Sequence, residues 1–132
     1  MLDTGVLISL FNKQDRDHVT TLAGFTTLNA MNTRLIAPAA VVLETAKRLL
    51  FDVNMEVMQA GTEAMLETLD VLDTTPHTIR DALGLIQGMK GWGATLEDAM
   101  VIHAALVLDA PVWTINYRDF GSIKKLKFWT PN

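Results

Sequence analysis

Residues 95–116 read TLEDAMVIHAALVLDAPVWTIN, and the order of signals in them decides the fold. Thr95 to Leu108 is the most apolar helical stretch of the chain, and Asp109-Ala110-Pro111 stops it immediately before an apolar strand, Val112 to Ile115. A helix feeding straight into a strand is the return limb of a β-α-β crossover. Working outward in both directions, the same alternation repeats. Leu35-Ile36-Ala37 is a short strand ended by Pro38, and Ala39 to Phe51 is a helix entered just past that proline. Helical periodicity continues over Glu56 to Leu66 around Gly61, and a weak strand candidate follows at Leu69 to Leu72. Thr75 caps a Pro76-started helix over His77 to Met89, and Gly88, Gly91 and Gly93 form a flexible connection back to Thr95. On the N-terminal side, Val6 to Phe11 is an apolar run and His18 to Met31 places Val19, Leu22, Ala23, Phe25, Leu28 and Met31 on one helical face. Tyr117 to Ile123 is a loop or short helix, and Leu126 to Trp129 a last strand.

Strands separated by helices pair in parallel through right-handed crossovers. The expected architecture is therefore a three-layer α/β/α sandwich around a mostly parallel sheet of four to five strands, formed by residues 1–132 as one domain. Its 132 residues suit a single core, and a 49% hydrophobic share with 20% charged residues is globular and not disordered. The chain has no cysteine, which excludes disulfides, thiol chemistry and Cys-ligated zinc and fits a reducing cytoplasm. No signal segment and no apolar run long enough to span a membrane is present. A net charge of −4 argues against broad electrostatic nucleic-acid binding, although bound divalent ions would neutralise part of it.

In a sheet of this topology strands end, and the helices after them begin, on one edge. Asp3 follows the first strand, Glu44 lies near the start of the helix after the second, Asp98 lies in the first turn of the helix before the fourth, and Asp119 follows the fourth. All four acids fall on the carboxyl edge, where ligand sites form at the strand-order switch. Each also has a structural role open to it. Thr95-Leu96-Glu97-Asp98 satisfies a capping box, Asp3 could be a turn residue, Glu44 faces Lys47 and Arg48 at i+3 and i+4, and Asp119 could be a loop aspartate. Convergence favours chemistry, because clustered carboxylates repel unless a cation lies among them. Mg²⁺ or Mn²⁺, hard ions that take carboxylate oxygens and keep several waters, would answer that repulsion and could activate water against a phosphodiester.

At these residues the sequence resembles the PIN-domain family. LDTGVLISLF is similar to its first-strand signature, IAPAAVVLETAKRL to its second-acid helix, LEDAMVIHAALVLDAPVWTIN to its third-acid helix, and TINYRDFGSIKKLKFWTPN to its closing block. The four segments occur in the family's order from Leu2 to Pro131, and the compact form is most similar to VapC-like toxins. The resemblance implies a metal-dependent endoribonuclease, the toxin of a toxin–antitoxin pair, with Asp3, Glu44, Asp98 and Asp119 as catalytic and metal-site acids, Asp3 and Asp98 foremost. Thr4 and Asn116 would lend hydrogen-bonding support. It also implies an RNA substrate, an antitoxin protein partner and a homodimer, with an apolar groove on the Ala39–Leu66 helices as the place for a partner helix. Tyr117 stands where many members carry another acid, and the chain begins only two residues before Asp3, as though trimmed. Lys13, Arg16 and Arg118, in segments adjoining Asp3 and Asp119, are the expected RNA-binding cations.

Asp3-Thr4-Gly5 is also the triplet of aspartic proteases, but those enzymes are all-β and this chain is dominated by helical periodicity. His18, His77 and His103 are too scattered in sequence for a zinc site, and no phosphate-cradling glycine loop of the P-loop kind occurs. A PIN nuclease of RNA maturation and a catalytically degenerate PIN module that binds RNA or a partner are the alternatives to the toxin.

Overall fold

The computed structural model describes residues 1–131; Asn132 lies outside the described residues. Seven helices are found among them: α1 (Thr4–Phe11), α2 (His18–Ala30), α3 (Ala39–Asp52), α4 (Met55–Thr68), α5 (Pro76–Ile86), α6 (Leu96–Leu108) and α7 (Tyr117–Phe120). Two full strands, β1 (Ile36–Pro38) and β2 (Asp70–Leu72), pair in parallel with Ile36 opposite Asp70. The sheet is shorter than four to five strands, because the remaining segments are single parallel bridges, Leu2 with Trp113 and Val112 with Phe128.

Backbone hydrogen bonds join these pieces into one ladder. Leu2 N–H donates to Ile36 O at 2.8 Å, Trp113 N–H to Met1 O at 2.9 Å, and Trp129 N–H to Val112 O at 2.9 Å. The spatial order is therefore β2, β1, Met1-Leu2, Val112-Trp113, Phe128. Numbered along the chain this is 3-2-1-4-5, so the direction of strand succession reverses between Leu2 and Trp113. In open parallel sheets the crevice at such a reversal is where ligands bind.

The apolar run Val6–Phe11 is helical because Asp3 caps it: the Asp3 carboxylate accepts from Thr4 N–H at 2.7 Å, and Leu7 N–H donates to Asp3 O at 3.4 Å. Val6, Leu7, Val41, Val101, Ile102, Val112 and Phe120 are fully buried around the short ladder. Trp113 closes the core, its ring 4.9 Å from Phe25 and 4.8 Å from Trp129, the latter edge-on. A smaller cluster of Ala82, Ala99 and Met100 locks α5 to α6. No described helix is long and apolar enough to cross a membrane.

Candidate active site

Asp3 and Thr114 are the residues that immediately follow the two segments flanking the reversal. They meet there: Thr114 Oγ–H donates to Asp3 Oδ2 at 2.7 Å, both residues being buried. Thr114 also accepts from Asn116 N–H at 2.9 Å, and Asn116 Nδ2 donates to Asp119 Oδ2 at 2.9 Å. A continuous chain of side-chain and backbone hydrogen bonds thus runs from Asp119 to Asp3.

Asp98 reaches the same crevice from α6. It fills the capping box read in the sequence, accepting from Thr95 N–H at 3.1 Å through Oδ2 while its own N–H donates to Thr95 Oγ at 3.2 Å. The capping and site roles are compatible, since Oδ1 accepts no hydrogen bond among the described residues. Burial and the adjacent Asp98 charge push the Asp3 carboxyl from 3.8 up to about 7, against the pull of the Thr114 and Thr4 donors. Glu44, half-buried in the second turn of α3, is also raised, by desolvation and then by the charges of Glu97 and Asp98, with the Thr4 hydroxyl opposing. That hydroxyl falls short of full hydrogen-bond geometry: Thr4 Oγ is buried without a partner.

The structure therefore brings Asp3, Glu44 and Asp98 into one electrostatic cluster and adds Glu97, which the sequence reading passed over as part of the cap. Asp119 is not among the charges that raise Asp3 and Glu44. It pairs with Asn116 and, at 3.6 Å, with the exposed Arg118, and it reaches Asp3 only through the hydrogen-bonded chain. Thr114 was also passed over; its signal was its place as the first polar residue after a strand adjoining the one that ends at Asp3. Of the expected RNA-binding cations, Lys13 is exposed beyond the end of α1, and Arg16 is exposed beside Asp17, 3.5 Å away. Asp17 shares a cleft with Thr114, Ile115 and Tyr117, which brings the Arg16 segment toward the crevice.

The donor set suits a hard divalent ion: carboxylate oxygens that, among the described residues, make no salt bridge, next to an orphaned hydroxyl. Among the described residues no three acids or histidines are closed into a preformed cage. Mg²⁺ does not require one, because it is commonly held by one or two carboxylates and retains several waters. Asp98 lies close enough for its charge to raise the proton affinity of Asp3, so the two carboxyls share one end of the crevice.

The fold matches that of VapC toxins, the PIN-domain fold, and chains from solved VapC and VapBC structures superpose on this chain along nearly its full length. VapC20 of Mycobacterium tuberculosis, described as a Sarcin-Ricin loop cleaving toxin, superposes with a TM-score of 0.78 at 15% identity, covering 92% of each chain. A chain of VapBC2 from Rickettsia felis, solved bound to a DNA fragment from the promoter, superposes with a TM-score of 0.75 at 20% identity, over 98% of this chain and 96% of that one. For VapBC-1 from nontypeable Haemophilus influenzae the values are 0.72 and 22%, over 98% and 96%. No family model and no curated protein sequence matches the chain. At these identities the likeness establishes the fold.

Proposed function

We propose that this protein is an Mg²⁺- or Mn²⁺-dependent endoribonuclease and the toxin of a type II toxin–antitoxin pair, acting in the cytoplasm. The observation that carries the reading is the meeting of Asp3 and Thr114 at the strand-order reversal, with Asp98 and Glu44 raising the negative potential of the same crevice. Asp3 and Asp98 would hold the divalent ion, with Glu44 adding negative charge to the same crevice. Such an ion would supply positive charge to balance the negative charge building up on the phosphate and would lower the pKa of a bound water toward neutrality. The chain's own residues fix the rest. Thr114 keeps one Asp3 oxygen oriented and tempers its proton affinity, Thr4 N–H holds the other, and the capping box fixes Asp98 on the rigid start of α6. Asn116 ties Asp119 and α7 to the same framework.

The toxin reading is supported by the fold shared with VapC20 and with chains of VapBC complexes. Leu43 and Phe51 on α3 and Met55 and Leu66 on α4 are exposed apolar residues, an arrangement suited to an antitoxin helix or to a second copy of the chain. The test is incubation with single-stranded RNA in Mg²⁺ or Mn²⁺ and in chelator, together with expression in a bacterial host. Metal-dependent internal cleavage and growth arrest are expected; intact RNA under every condition would overturn the proposal.

A further inference from the structure

A second cleft opens beside the acidic crevice, between the Gly-rich connection and α7. It is lined by Met89, Lys90, Trp92, Arg118, Asp119 and Ser122, with a volume of about 460 Å³. That falls within the roughly 300–1,000 Å³ of small-molecule sites. Its two walls lead directly to the site carboxylates. From Trp92 the chain runs on to Thr95 and Asp98, and from Asp119 the hydrogen-bonded chain through Asn116 and Thr114 ends on Asp3.

The groups presented there suit one kind of ligand. Lys90 is exposed and makes no ion pair among the described residues, and Arg118 is exposed with only its neighbour Asp119 near it. The Asp119 carboxylate is the one opposing charge, and it is already engaged by Asn116 Nδ2. Trp92 lies in the cleft wall with its indole Nε1–H buried and without an acceptor. Gly91, in a left-handed conformation at φ 74° with open space around it, leaves the loop room to adjust. Two exposed cations, one of them unpaired among the described residues, beside an aromatic ring are the elements of a single-strand nucleic-acid platform.

We infer that this cleft is the subsite for the nucleotide of single-stranded RNA that flanks the scissile phosphate, an inference that rests on the ribonuclease reading. Lys90 and Arg118 neutralise the flanking phosphate, and the Trp92 ring in the cleft wall packs against the base. The Gly-rich connection is then part of the substrate groove and not merely a helix linker.

The test is binding of a labelled single-stranded oligoribonucleotide to the full chain carrying Asp3→Asn, followed by fluorescence anisotropy over a salt series. Lys90→Ala and Arg118→Ala, added singly, should each weaken binding about 5- to 10-fold and make the log–log salt dependence shallower by about 0.7, the value for one phosphate contact on a single strand. Trp92→Ala should weaken it at least about 5-fold, and Trp92→Phe, which keeps a packed aromatic ring, should retain most of the affinity and guards against a packing defect. RNA bound with unchanged affinity and salt slope by both cation variants would overturn the subsite while leaving the ribonuclease reading intact. No RNA bound by the Asp3→Asn chain, with no cleavage by wild type, would overturn both.

Discussion

Replacing Asp3 by Asn should stabilise the metal-free protein. The Asp3 carboxyl, 3% exposed, ionises near 7 in the fold against 3.8 when unfolded, a difference worth about 4 kcal/mol once the group is charged. An amide avoids that charge but fits the Thr4 and Thr114 donors less well and is itself costly to bury, which leaves a net gain of about 2 kcal/mol. For a domain of this length that is about 5–10 °C in Tm. The pH dependence has a definite sign. The folded state keeps its Asp3 proton up to about pH 7 whereas the unfolded chain releases it near 3.8, so wild-type stability from this group is fully present below about pH 4, declines up to about pH 7, and is flat above. The gain from Asp3→Asn should therefore be small at about pH 4 and full at about pH 8. Thermal denaturation followed by circular dichroism in chelator, at both pH values, measures it. Wild type should recover stability in Mg²⁺ or Mn²⁺, by about 3 kcal/mol at a hundredfold excess over Kd, and the variant should not. A variant that melts below wild type at pH 8, or a difference independent of pH, would refute the charge-burial account.

Thr114→Val removes the donor that holds the Asp3 carboxyl down, so the acidic limb of the cleavage pH profile should move to higher pH, with activity reduced about tenfold at neutrality. Asp119→Asn preserves an acceptor for Asn116 and lies outside the charge cluster; its kcat should fall less than tenfold, against about a hundredfold or more for Asp98→Asn, as single-turnover assays would show. Gly24→Ala would place a Cβ 2.5 Å from the Trp113 ring, which Phe25 and Trp129 confine, and urea unfolding should register a loss of about 1–3 kcal/mol.

The helices were legible where punctuation frames them. Pro38 opens α3 and the Thr95 capping box opens α6, and the structure begins both helices there. Val6–Phe11 could not be resolved as strand or helix from its own residues, because a six-residue apolar run carries no period; Asp3 decides it by capping. The strands at Val112 to Ile115 and Leu126 to Trp129 shrink to single bridges, and Thr114 gives its hydroxyl to the Asp3 carboxylate, a contact that nothing in local propensity records. Strand order told which acids share an edge but not how far apart they lie along it, and this is why Asp119 was grouped with three acids from which the fold holds it one hydrogen-bonded chain away. Glu97 went unread for the opposite reason: beside Asp98, a cap explained the pair fully. His77 and His103, distant in sequence, approach the same Asp81 oxygen at 3.3 and 3.8 Å, which only the packing of α5 on α6 reveals.

The central claim is that Asp3 and Asp98 together form the hydrolytic centre. The measurement that addresses it most directly is single-stranded RNA cleavage in Mg²⁺ or Mn²⁺ by wild type, Asp3→Asn and Asp98→Asn, each first shown to be folded by its melting transition. Cleavage by wild type alone, with both variants reduced about a hundredfold or more, is the expected result. Cutting by either folded variant at the wild-type rate would contradict it.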